Sequence, residues 1–161
     1  AGVDVRFAAT GSNNTFAPAT ATTDAAGHAT SAFSSTLSGS RTISATVGGL
    51  ALSQTQVVTV VPGVADPGQT TAKVPGSGHE NHPTVITVQA RDQFGNKLVT
   101  GGSAVVVTVT GANNAGPIYA TDNGDGTYTA SYTPPNKGTD YVVITLGGVA
   151  ISGSPYRSKV G

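Results

Sequence analysis

Apolar and polar residues alternate one for one through most of this chain, the signature of extended strands with one buried and one wet face. In Thr127–Thr133 the apolar Tyr128, Ala130 and Tyr132 share one parity and hydroxyl groups share the other. Thr84–Arg91 sets Ile86, Val88 and Ala90 against Thr87, Gln89 and Arg91, and Ser103–Thr110 carries Val105, Val107 and Val109 on its inward parity. Turn residues fall between the runs. Asp122-Asn123-Gly124-Asp125-Gly126 tolerates the positive φ of a tight hairpin, and Asp92-Gln93-Phe94-Gly95-Asn96 and Pro134-Pro135-Asn136-Lys137-Gly138 close longer connections. No segment keeps a 3.6-residue apolar period, so no helix is expected. Short strands punctuated every eight to twelve residues predict an all-β sandwich.

The chain also repeats itself at an offset of 99–100 residues. Gly11-Ser12-Asn13-Asn14 lies over Gly111-Ala112-Asn113-Asn114, and Val47–Ser53 lies over Leu146–Ser152. Asp24-Ala25-Ala26-Gly27 takes the place of the later Asp-Asn-Gly hairpin. A period this long is a whole domain, not a solenoid turn. The repeat resolves one ambiguity: Tyr141–Leu146 is apolar on both faces, but Ile43, Ala45 and Val47 alternate cleanly with Thr42, Ser44 and Thr46. Val142, Ile144 and Leu146 are therefore the expected inward set.

The second copy predicts seven strands, near 69–76, 84–91, 103–110, 117–122, 126–133, 140–147 and 149–160. The first supplies only the last five, between Val3 and Val61, because Ala1 aligns near Gly101. The expected organisation is a partial domain at residues 1–62 and a full one at 63–161, one and a half domains of a longer array. Pro62–Gly68, with two prolines, reads as a semi-rigid connector.

Composition narrows the function classes. Formal net charge is zero and only 10% of residues are charged, which argues against a nucleic-acid or anionic-membrane partner. No apolar run is long enough for a membrane span. With no initiator Met and no leader-like start, the sequence reads as processed or excised. Absence of Cys excludes disulfides and thiolate metal sites and is compatible with an extracellular or cell-surface location. Asn13-Asn14-Thr15 is a glycosylation sequon, meaningful only if a eukaryote secretes the chain.

Ala90-Arg91-Asp92, Gly95, Gly101-Gly102, Asp122–Tyr128, Tyr132-Thr133-Pro134, Gly138 and Ile151-Ser152-Gly153-Ser154-Pro155-Tyr156 together resemble a filamin-type immunoglobulin-like repeat over residues 64–161. Residues 1–61 are similar to the bacterial immunoglobulin-like domains of invasin- and intimin-type surface proteins. Asp24–Ala29 and Gly39 followed by Ile43-Ser44-Ala45 carry that likeness. Residues 1–61 depart from the filamin pattern in lacking its Ser-Pro-aromatic ending and long hairpin. The resemblance implies neighbouring immunoglobulin-like repeats as partners. It also implies a peptide strand added beside the third strand, in the groove against the fourth. Here the groove would be lined by outward Ala104, Val106 and Thr108, with Ile118 and Ala120. The alternative is an ordinary edge strand.

Reactive chemistry finds little support. His79-Glu80-Asn81-His82 spaces its imidazoles three apart in a Pro/Gly-flanked loop, unlike the helical zinc motif, and reads as solvated. His28 reads as an exposed residue opening a strand. Asp122, Asn123 and Asp125 look like calcium ligands, but the third loop position is Gly124, which has no side chain. Asp92 with Asn96 likewise reads as a structural turn. No catalytic residue, metal or cofactor is assigned.

The expected function is a non-catalytic spacer of a multi-repeat adhesin, stalk or filament. The alternatives are a strand-binding module and a carbohydrate-binding accessory using Tyr119, Tyr141 or Tyr156. The strands missing from the first copy would carry counterparts of Ile86, Val88 and Ala90. Each Val- or Ile-sized burial is worth about 1.5–3 kcal/mol, against roughly 5–15 kcal/mol for a whole domain. Residues 1–61 alone are thus expected to be marginal, with the fifth strand's edge open to upstream sequence or to strand donation from another chain.

Overall fold

The structure, a computed structural model, describes all 161 residues and contains strands and turns but no helix. It divides into two compact units, Ala1–Val61 and Pro62–Gly161.

Unit 2 is a closed sandwich. One sheet runs β13 (Thr121–Asp122), β14 (Thr127–Tyr132), β10 (Thr84–Gln89), β8 (Thr71–Lys73). The other runs β12 (Ala115–Tyr119), β11 (Val105–Gly111), β15 (Gly138–Leu146), β17 (Tyr156–Val160), β9 (Ser77–Gly78), with the short β16 (Val149–Ala150) also on β15. The alternation works as read. Ile86, Val88, Val107, Tyr128, Val142 and Ile144 are sealed between the sheets. The β10–β14 register sets Ile86 opposite Ala130 and Val88 opposite Tyr128, so large and small side chains interleave. Every neighbour is antiparallel except β9, which runs parallel to β17.

The first expected strand, near 69–76, is followed by β9, which carries the chain into the opposite sheet, and two other expected strands are each divided. The fourth pairs with β11 as β12, then crosses at Ala120 to pair with β14 as β13. Gly116 permits this: its φ is +109°, and a Cβ there would lie 2.8 Å from the Val107 carbonyl oxygen. Pro117 behind it has no amide to give to a ladder. The seventh breaks at Ser152–Pro155, where the Ser154 hydroxyl accepts the Ile144 amide at 2.9 Å and takes over the ladder bond.

Unit 1 holds β1 (Asp4–Ala9), β2 (Asn14–Ala17), β3 (Thr20–Thr22), β4 (Ala32–Ser35), β5 (Gly39–Val47), β6 (Leu50–Ala51) and β7 (Gln56–Val60). One sheet is β3-β1-β5, with β6 and β7 both on β5; the other is only β2-β4. These seven pieces fill five strand positions, because the fourth and seventh are again split. The two N-terminal strands that unit 2 owns as β8 and β10 have no counterpart. Three phenylalanines bridge the sheets, with ring centroids 6.0 Å apart for Phe7–Phe16 and 5.2 Å for Phe16–Phe33. The fourth strand crosses in the opposite sense to unit 2's, joining β4 first as β2 and then β1 as β3.

His28 does not open a strand. The ladder starts only at Ala32, whereas the equivalent Thr127 is already paired with Gln89 of β10. The equivalence is structural: Asp24 N to His28 O repeats as Asn123 N to Thr127 O. Without a second-strand neighbour, residues 28–31 have no partner to extend against.

Candidate functional site

The expected groove is not open. β11 is an interior strand, with β15 on one side and β12 covering Val106–Val109 on the other. Val106 and Thr108 lie half-buried on the outer face and Ala104 is exposed, but Ile118 and Ala120 turn inward and pack on the core. The five residues therefore face two sides of the sheet. The sheet switch at Ala120 causes this, since the first half of the fourth strand occupies the edge a peptide would use.

The oxygen-rich turns are braced by their own backbone. Asp122 accepts the Gly124 amide at 2.8 Å on Oδ1 and the Gly102 amide at 2.7 Å on Oδ2. Asn123 donates to the hydroxyls of Thr127 and Thr129, and Asp125 accepts from the Thr127 amide. Gly101 has no room for a side chain, because a Cβ would fall on the Asp122 carboxylate.

Asp92 is more enclosed. Its Oδ1 accepts the amides of Phe94 and Asn96 at 3.0 and 2.9 Å, and its Oδ2 accepts the Gly63 amide and Asn96 Nδ2, both at 2.9 Å. Burial alone would raise its pKa, but these four donors, led by the Asn96 side chain, outweigh it and hold the carboxyl below its ordinary value. The group ties the chain entering unit 2 to the turn after β10.

A pair of buried corners escaped the sequence reading. In unit 2, Asp140 accepts the Asn113 amide at 2.8 Å and the Tyr132 hydroxyl at 3.0 Å, while Asn113 clamps Asn136 through its side-chain amide. Burial, together with the Asp140 carboxylate, pushes the Tyr132 hydroxyl up to about 12. At the equivalent corner of unit 1 the charge is reversed. Buried Arg41 donates Nε to Asn14 Oδ1 at 3.1 Å and Nη2 to the Leu37 carbonyl at 2.7 Å. Each corner is locked by one asparagine and one ion, of either sign.

The remaining candidates do not converge. His79 and His82 stack edge-on with ring centroids 6.1 Å apart, and His82 Nδ1 lies 2.9 Å from the Glu80 carbonyl oxygen. Tyr119 and Tyr141 are exposed, opposite Val106 and Thr110 near the two ends of β11. Tyr156 is half-buried and donates to the Ser152 carbonyl at 2.6 Å. They form no common platform for a sugar.

Two β-sheets face to face, with split fourth and seventh strands in each unit, define a tandem immunoglobulin-like sandwich whose first member lacks its two N-terminal strands. Residues 64–157 match the Filamin/ABP280 repeat, and the chain belongs to that family. Rat (Rattus norvegicus) filamin-C is 38% identical over 95 residues, 55% of this chain and 3% of filamin-C, so the chain spans a small fraction of that relative. InvD of Yersinia pseudotuberculosis matches 99% of this chain and 47% of its own, at 25% identity and a TM-score of 0.60. Invasin, described as a bacterial integrin-binding protein, matches 99% of this chain and 32% of its own, at 24% identity and a TM-score of 0.50. Residues 1–61 thus carry the bacterial immunoglobulin-like type and residues 64–157 the filamin type.

Proposed function

We propose that the chain is a non-catalytic, load-bearing spacer in a multi-repeat protein at a cell surface or outside the cell. One observation carries this reading: the parallel pairing of β9 with β17. β9 lies near the start of unit 2 and β17 at its end. Tension on the two ends pulls parallel neighbours in opposite directions along their axes and strains all their bonds together. Amides of Lys159 and Gly161 donate to the carbonyls of Gly76 and Gly78, both at 3.0 Å, and form this clasp. The internally braced turns and the likeness to InvD across nearly the whole chain support the same reading.

Single-molecule pulling from the two termini tests it. The expected record is one discrete high-force event that releases the 100 residues of unit 2, an extended length of roughly 330–360 Å. Unfolding of unit 2 at no measurable force, or saturable binding of a glycan or an integrin ectodomain to the immobilised chain, would overturn it.

A further inference from the structure

We propose that the loop between β9 and β10 is a transition-metal site: one divalent ion of the imidazole-seeking class, zinc or copper(II), bridges His79 and His82 and staples the crossing between the two sheets of unit 2. This goes beyond a spacer role, which requires no ion.

The backbone brings the two histidines together. β9 and β10 belong to opposite sheets, and the chain passes between them through His79–Pro83. A helix places two imidazoles on one face at a spacing of four; here a tight turn does so at a spacing of three. The His82 amide donates to the His79 carbonyl at 3.3 Å and closes the turn. Asn81, at a φ of +60°, donates its amide to the Pro134 carbonyl at 2.7 Å and fastens the turn to the body of the sandwich.

The rings are placed and protonated for the task. Both histidines are exposed, and their ring centroids lie 6.1 Å apart. A bound ion sits about 2.0–2.1 Å from an imidazole nitrogen, so small turns of the two rings let one ion reach both. His82 Nδ1 lies 2.9 Å from the Glu80 carbonyl oxygen, which can only accept. In the neutral ring Nδ1 therefore carries the proton and Nε2 presents its lone pair, the arrangement that fixes a metal-binding histidine. No third His, Cys, Asp or Glu joins them, and the Glu80 carboxylate faces Lys137 at 4.0 Å. Water completes the coordination, and the ion exchanges readily. Imidazole and water suit copper(II) and zinc, whereas calcium and magnesium need oxygen ligands. His79 directly follows Gly78, whose carbonyl accepts the Gly161 amide beside β17. An ion held there tethers β9 to the start of β10.

The test titrates the whole 161-residue chain with zinc chloride and copper(II) chloride by calorimetry, with calcium and magnesium chlorides as controls. The expected result is one saturable equivalent, tighter for copper than for zinc and absent for the controls. His79→Ala and His82→Ala should each abolish it, and His28→Ala in unit 1 should keep it. Zinc at about ten times its Kd should raise the melting midpoint of unit 2 by roughly 4–8 °C in the parent chain and in neither loop variant. Tyrosine fluorescence reads this, because every tyrosine lies in unit 2. No saturable equivalent overturns the proposal, as does one that survives both loop substitutions. One ion per two chains overturns it too, because the ion would then join copies. A midpoint unmoved by saturating zinc overturns the staple.

Discussion

The two units present the same inward positions to very different surroundings. Ile151 and Leu52 are equivalent, each donating its amide to the carbonyl of the strand before it, Ile144 and Ala45 respectively. Ile151 is 3% exposed and Leu52 is 48% exposed. Of the buried apolar residues only Val5 belongs to unit 1, and the whole cluster from Ile86 to Ile151 belongs to unit 2. Chemistry does not separate them, since both rows are aliphatic at the same parity. The difference is a roof: β10 and β8 complete the cover over one row, and only the short strands β2 and β4 face the other. A sandwich's stability thus resides in the second layer more than in the apolar content of the first.

The strongest way to break this comparison is in the core. Ile144→Ala should cost unit 2 about 2–5 kcal/mol, and Ile43→Ala should cost unit 1 well under half of that, because its site is already partly wet. All five tyrosines lie in unit 2, so tyrosine fluorescence in a urea titration isolates its unfolding while far-ultraviolet circular dichroism follows both units. Equal losses would remove the distinction.

Equivalent turn glycines give the next contrast. Gly126 and Gly27 have φ of +83° and +84°, and alanine at either is strained by about 1–3 kcal/mol. At Gly126 the new Cβ also meets the Leu98 carbonyl oxygen at 2.1 Å, whereas at Gly27 it meets nothing within 4 Å. Gly126→Ala should therefore lower the midpoint of unit 2 further than Gly27→Ala lowers that of unit 1, read by the same two signals.

Acid and base should act mainly on unit 2. The Asp92 carboxyl is depressed on folding, so its contribution is complete above its unfolded value and is lost as pH falls through the folded one. Asp92→Asn should flatten that acid decline in tyrosine-detected melts. Tyr132 is raised to about 12, so its contribution holds below pH 10 and disappears as pH climbs toward 12. Melts followed by circular dichroism should show the alkaline loss in the parent chain and a shallower one in Tyr132→Phe.

Faces were legible in the sequence, and neighbours were not. Period-2 alternation placed Val105, Val107 and Val109 inward correctly because burial of one face is a local property. The same alternation could not tell which strand lies beside β11. That choice rests on Gly116 approaching Val107 and on the crossing at Ala120, and so the expected groove lost its edge to β12 and two of its residues to the core. The turns of Asp92 and Asp122 were legible because the donors that close them, Phe94, Asn96 and Gly124, lie within four residues, whereas the distant donors Gly63 and Gly102 were not. The corners of Asn113 with Asp140 and of Asn14 with Arg41 were not, because each partner is 27 residues away and the charge changes sign between copies. The row of Phe7, Phe16 and Phe33 did sit on a common inward parity, a signal available to be read.

The clasp between Ser77–Gly78 and Lys159–Val160 also dictates where this sequence can be trimmed. A fragment ending before Lys159 frees β9 and leaves Gly138 and Thr139 of β15 without their partners, and a fragment starting after Gly78 strips β9 from the edge of β17. Minimal versions of the second sandwich must therefore keep both tails, and exopeptidase digestion from either one should stall at this seam.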